Sequence, residues 1–264
     1  MRDRSDRLTE DQVAAYLARI DVTSEGAPAV DHLRELQLQH LRAVPFENLS
    51  IHLAEPISLA LDHLFGKIVV DRRGGFCYEL NGLFSPTGYA FTGGGTPTAL
   101  LRTLGYDVDL FAGAVGPRLA DVGFGRHSAY PQLLDEPGEQ LDPSGQFRID
   151  ALPGGDLDVC LAGRPQYRVE PRPRELSDFE PTCWWQQTRP GSHFRAGPVC
   201  SILTPSGGLL TLAGRQLIST EQGERTETAL ASDAEVLAAY RERFGVRLPR
   251  VPVPVEGDQR RASS

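Results

Sequence analysis

Arg73-Gly74-Gly75-Phe76-Cys77-Tyr78-Glu79-Leu80-Asn81-Gly82-Leu83-Phe84 is the stretch on which the reading of this chain turns. A Gly-Gly pair makes a turn, and the residues after it can open a helix with Cys77 at its start. The positive end of a helix dipole lowers the pKa of a cysteine placed there, which suits a nucleophile. A buried structural thiol is the commonest fate of a free cysteine. Position alone does not separate the two.

Working upstream, the chain reads as helices. Thr9 and Gln12 form a T-x-x-Q capping box. Val13, Tyr16, Leu17 and Ile20 then recur at helical spacing on one face. A second helix is expected from Val30 to about Arg42, ended where Pro45 restricts Val44. Ser58 is expected to cap a third helix carrying Leu61, Leu64, Phe65 and Ile68. Downstream, Ser85-Pro86-Thr87-Gly88 breaks the Cys77 helix and a Gly-rich tract follows at 92–97. Helical character resumes over 99–104. Strands are expected at Val108 to Val115, at Leu119 to Val122, and in shorter runs to about Val169. Cys200 to Leu203, Leu209 to Leu212 and Gln216 to Ser219 read as a β-meander. Thr228 to Phe244 reads as a last amphipathic helix.

Composition narrows the function classes. The chain has 264 residues, 40% of them hydrophobic, which is globular rather than disordered. Its 27 Lys+Arg against 35 Asp+Glu leave a net charge of −8. That balance argues against nucleic acid or an anionic membrane as partner. No apolar run reaches membrane-span length. No apolar segment follows MRDRSDRLTEDQ, so no secretory signal is expected. Cys77, Cys160, Cys183 and Cys200 lack zinc spacing, so no metal is expected, and reduced thiols in a cytoplasmic location are.

The RGGFCYELNGLF string closely resembles the active-site signature of the arylamine N-acetyltransferases. Pro45-Phe46-Glu47-Asn48-Leu49, Asp121-Val122-Gly123-Phe124-Gly125, and Ser192-His193-Phe194 followed by Pro198-Val199-Cys200-Ser201 are similar to three further motifs of that family, in family order. The resemblance implies an α+β, papain-like fold in three parts. These are an N-terminal helical domain (1–104, with an inserted loop about 85–98), a central and incomplete β-barrel (105–182), and a C-terminal α/β lid (183–264). It implies ping-pong acetyl transfer from acetyl-CoA, a co-substrate rather than a bound prosthetic group, to an arylamine or hydrazine. Cys77 matches the nucleophile of a Cys-His-Asp triad and Asp121 its acid. Gly123, Phe124 and Gly125 match a segment near the CoA pantetheine and the acyl acceptor. Phe46 and Phe194 match apolar positions lining the pocket.

The chain departs from that pattern in one respect that bears on chemistry. The family's histidine lies between nucleophile and acid, yet no histidine occurs between Tyr78 and Ala120. The stretch that should carry it is missing, and residues 85–98 look inserted. An error of reading frame and the decay of a duplicated gene would each produce both changes. An unassisted thiol is on the order of 3% ionised at neutral pH. A carboxylate beside it, without imidazole between them, raises its pKa further. Transferase activity is therefore expected to be severely reduced or absent. His127, just past Gly125-Arg126, reads first as a loop histidine at a strand exit. As a replacement base it would have to reach both Cys77 and Asp121. Two other functions stay open: an amide synthase closing polyketide macrolactams, and an inactive relative that binds CoA or an aromatic ligand.

Overall fold

In the computed structural model the described residues are 8–23, 30–84, 90–91, 118–123, 128–170 and 176–255. The helical part starts as the sequence dictates. Helix α1 (Glu10–Arg19) opens on the Thr9–Gln12 capping box. Thr9 Oγ1 accepts from the Gln12 N–H at 3.2 Å, and Gln12 Oε1 accepts from the Thr9 N–H at 2.8 Å. Helix α2 spans Val30–Ala43. Strand β1 (Phe46–Glu47) follows Pro45, then the short helix α3 (Leu49–Leu53), then α4 (Leu61–Phe65) running into a π-helical turn at Gly66–Val70. Ser58 does not cap α4. Its hydroxyl accepts from the Ala60 N–H at 3.1 Å, two residues along, and shapes the entry turn, while Ala60 occupies the cap position. Helix α5 (Cys77–Phe84) carries the signature. Tyr16, Leu36, Leu64, Phe76, Leu80 and Phe84 meet in one buried cluster, so α5 is built into the core of the helical part.

Two five-stranded antiparallel sheets and one two-stranded sheet are found among the described residues. One has the order β2-β8-β7-β6-β5, with β2 (Ala90–Phe91), β5 (Gln140–Asp142), β6 (Gly145–Ala151), β7 (Leu157–Leu161) and β8 (Arg164–Glu170). Beside it β3 (Arg118–Leu119) pairs with β4 (Gln132–Leu133). Among the described residues this region is an open sheet over a small core of Leu119, Phe147, Ile149, Val159 and Val169, not a closed barrel. The expected strand over 108–115 lies outside the described residues, as do the insertion, apart from the backbone of 90–91, and the helical run at 99–104. Of the next expected strand, Leu119 to Val122, only Leu119 is in a ladder, as the end of β3. Asp121 Oδ1 accepts from the Gly123 N–H at 2.9 Å, a side-chain turn that competes with strand pairing and bends the chain.

The second sheet has the order β1-β9-β10-β11-β12. Strands β9 (Val199–Leu203), β10 (Leu209–Ala213) and β11 (Gln216–Glu221) are the expected meander, extended by β12 (Glu224–Ala229). Because β12 takes Thr228, the last helix starts later than its apolar spacing suggested. Helix α7 (Asp233–Phe244) is capped by Ser232, whose Oγ accepts from the Glu235 N–H at 3.2 Å, and ends at Gly245 with φ +69°. Every residue of β12 is exposed, so it has no buried face for an alternating pattern to reveal. Pairing of β1 with β9 (Phe46↔Ser201, Glu47↔Cys200) ties the helical part to this sheet. Along the chain, helix α6 (Glu180–Thr188) comes between β8 and β9. Its buried residue is Cys183, whereas Trp184 and Trp185 lie exposed. No helix among the described residues is long and apolar enough to cross a membrane.

Candidate active site

The turn before α5 is fixed by charge in the interior. Glu47 is fully buried. Its carboxylate accepts from Arg73 Nε at 3.0 Å and from the Leu49 N–H at 2.7 Å. Arg73 also reaches Glu55 at 3.1 Å. Burial alone would raise the Glu47 carboxyl, but Lys67, Arg73 and the Leu49 N–H together bring it below its ordinary value. The Glu47 N–H donates to the Gly75 carbonyl at 2.8 Å, and Phe46 bridges Gly75 in parallel register. The Gly-Gly turn is thus clamped against β1, and Cys77 leads the helix that leaves it.

Cys77 is half-buried at the first position of α5. Its own N–H and that of Tyr78, free of intrahelical acceptors at a helix N-terminus, favour the thiolate. The lowering that this position brings is outweighed, and the upward push expected from Asp121 is present. Burial pushes the thiol well above the ordinary cysteine range, the Asp121 charge pushes it the same way, and the two N–H groups offset only part of this.

Asp121 is 3% exposed. It accepts from Asn81 Nδ2 at 2.9 Å and the Gly123 N–H at 2.9 Å, and the Tyr167 hydroxyl of β8 also bonds to it. Asn81 sits one turn after Cys77 on α5, and its Oδ1 accepts from the Val122 N–H at 3.0 Å. Gly123 packs directly on the helix that Cys77 opens. A Cβ there would lie 2.6 Å from Asn81 Nδ2 and 2.8 Å from Cys77 Cα, so only glycine allows this approach. The structure therefore brings Cys77, Asp121 and Gly123 together. Phe124, Gly125 and His127 lie outside the described residues.

Asn81 and Tyr167 were missed in the sequence. For Asn81 the signal was present, since residues four apart share a helix face. For Tyr167 there was none, because a different strand delivers it.

Phe46 and Phe194 form an aromatic group with Phe76. Ring centroids are 6.5 Å apart for Phe46–Phe194 and 5.3 Å for Phe76–Phe194. Phe194 is held through its backbone. Asn48 Nδ2 donates to the carbonyls of Phe194 at 2.8 Å and Gly197 at 2.9 Å, and Asn48 Oδ1 accepts from the Val199 N–H at 2.7 Å. A His52 ring nitrogen lies 3.1 Å from the same Phe194 carbonyl. Asn48→Ala strips three bonds from this buried knot. It is expected to cost about 2 kcal/mol, read as a lower midpoint in urea unfolding at unchanged m. His193 is exposed and turned edge-on to Phe194.

A cysteine at a helix N-terminus, a buried carboxylate two residues past β3 and an aromatic wall meet on a papain-like fold. A family model for N-acetyltransferases matches residues 29–120 and 117–253. The arylamine N-acetyltransferase of Mycolicibacterium smegmatis is 30% identical over 89% of this chain and 92% of its own length. That of Escherichia coli K12 is 31% identical over 88% of this chain and 87% of its own. The crystal structure of the Nocardia farcinica arylamine N-acetyltransferase superposes with a TM-score of 0.74 at 30% identity, covering 94% of this chain and 95% of that one. A Mycobacterium marinum arylamine N-acetyltransferase solved in complex with CoA superposes at 0.72 and 28% identity, over 89% of this chain and 92% of that one. This chain belongs to the arylamine N-acetyltransferase family.

Proposed function

We propose that the chain transfers acetyl from acetyl-CoA to an arylamine or hydrazine through an acetyl-Cys77 intermediate, at a rate far below that of relatives carrying an imidazole. The reading rests most on Cys77 and Asp121 meeting at one site, linked by Asn81 and Gly123. The Cys77 sulfur attacks the acetyl carbonyl carbon, the bond from that carbon to the CoA sulfur breaks, and CoA leaves with the thiol proton. The amine nitrogen then attacks the acetyl-Cys77 carbonyl. The new C–N bond replaces C–S, the amine gives up a proton, and the thiol is restored. The CoA-bound M. marinum relative supports acetyl-CoA as donor and CoA as the leaving product. Phe46 and Phe194 would line the acceptor pocket, with Gly123, Phe124 and Gly125 near the pantetheine.

Slow turnover follows from the residues. The sequence offers no histidine between Tyr78 and Ala120, and both burial and Asp121 raise the thiol. Loss of general-base help costs about 10²–10⁴-fold. The division into 1–104, 105–182 and 183–264, and a cytoplasmic location, belong to the same proposal.

Intact-mass spectrometry with acetyl-CoA tests it, with Cys77→Ala as control. A Cys77-dependent adduct of one acetyl group is expected to grow over minutes to hours and to vanish when an arylamine is added. No adduct on a folded sample that still binds CoA would overturn transfer and leave a ligand-binding relative. Adduct formation within the mixing time would overturn the slow-turnover part.

A further inference from the structure

The first turn of α5 is held by an interior ion pair that the acetyl-transfer scheme does not use. Glu79 is fully buried two residues after Cys77. One of its oxygens accepts from Lys67 Nζ at 2.7 Å, and the other accepts from the Phe76 N–H at 3.2 Å. Lys67 comes from the π-helical turn Gly66–Val70, and only 10% of its side chain is exposed. Gly75 leaves room for this carboxylate. A Cβ there would sit 2.7 Å from Glu79 Cβ and 3.0 Å from Glu79 Oε2.

The arrangement is half of a capping box. A glutamate at the third helical position reaches back to the cap residue's N–H. The other half is missing because the cap residue is Phe76, which has no side-chain acceptor. A Ser, Thr or Asp cap would take an N–H of the first turn. With Phe76 in that place, Glu79 secures the turn from the far side. The N–H groups of Cys77 and Tyr78 are left without a side-chain acceptor from the cap, and both favour the Cys77 thiolate.

We propose that Glu79, anchored by Lys67, is a positioning residue that holds the first turn of α5 so that the Cys77 and Tyr78 N–H groups face the reacting sulfur. It acts through the backbone and touches neither substrate nor thiol. Those two N–H groups are the described donors that favour the thiolate in a site where burial and Asp121 disfavour it. Their alignment therefore sets how much thiolate the chain can supply. The role rests on Cys77 being the reacting group of the proposed function.

The test is the pH dependence of Cys77 alkylation by iodoacetamide, followed by peptide mass mapping, in wild type, Glu79→Gln and Glu79→Met. Misaligning the two donors is expected to raise the apparent thiol midpoint by about one unit in Glu79→Met, and so to slow alkylation about tenfold at any pH below it. Glu79→Gln keeps an acceptor for the Phe76 N–H and is expected to slow it only about threefold. An alkylation profile identical to wild type in both variants, whatever their Tm, would overturn the proposal and leave Glu79 a fold-stabilising residue. If Glu79→Met does not fold, Glu79→Gln decides alone. A missing acetyl adduct in wild type would sink the transferase reading without moving these profiles, so the two failures are distinguishable.

Discussion

Arg73→Met lowers the stability of the fold at pH 7 by about 3–5 kcal/mol, the expected cost of leaving a buried charge without its partner. The side chain of Glu47 is 0% exposed and that of Arg73 10%. Arg73 gives Glu47 two guanidinium nitrogens, Nε at 3.0 Å and Nη2 at 2.9 Å. Methionine fills much of the arginine's volume, so the loss is one of charge and hydrogen bonds rather than a cavity. Glu55 contributes little to the figure, since its side chain is 37% exposed and solvent screens it.

The pH dependence distinguishes this cause from general damage. Glu47 sits below its ordinary value in the folded chain, so its stabilisation is full above the unfolded carboxylate pKa. It is lost as pH falls through the folded value. Burial is the largest influence on this group and raises it. Once Arg73 is gone, the carboxyl moves up and takes a proton at higher pH. The stability gap between wild type and variant should therefore narrow as pH falls from 7 to 4. Denaturant unfolding at both values measures it. A gap that stays constant would show that packing, not charge, carries the loss.

How much of this was legible beforehand depended on where each signal lay along the chain. The capping box of α1, the span of α2 and the start of α5 were readable because each is set by neighbours within one or two turns. The signature singled out Cys77 and the Asp121–Gly125 motif singled out Asp121, and the fold brings the two together. What the sequence did not show was which effect dominates at the thiol. A helix N-terminus is a local feature, but the burial that outweighs it comes from the whole fold. Tyr167 and the Glu47–Arg73 pair escaped for a similar reason, since each joins segments from separate elements. Strand β12 was hidden differently, because an exposed edge strand needs no apolar alternation. Exposed Trp184 and Trp185 show the limit of composition. Arg189 stacks 4.5 Å from the Trp185 ring, which holds that indole at the surface.

Gly74→Ala is expected to cost about 3 kcal/mol, the upper end of the usual range for overpacking. For a chain of this size that is a fall in Tm of roughly 6–12 °C. The glycine is not needed for a left-handed turn, since Gly74 is not among the glycines with positive φ. It is needed for space. A Cβ at 74 would overlap the Pro45 carbonyl oxygen outright and lie 2.9 Å from Glu47 Cγ. Neither neighbour can yield cheaply. Pro45 is backbone at the entry to β1, and Glu47 is pinned by Arg73 and by the Leu49 N–H. Relief must come from the turn itself, which moves Gly75 away from the Glu47 N–H that bonds its carbonyl at 2.8 Å. The displacement then passes to Cys77, two residues on. Alkylation of Cys77 should change along with Tm, whereas a glycine with open space beside its Cα, such as Gly197, should tolerate alanine with neither effect. A Gly74→Ala variant that melts with the wild type would mean that the clamp of β1 on the Gly-Gly turn is slack, and that the position of Cys77 is set from α5 alone.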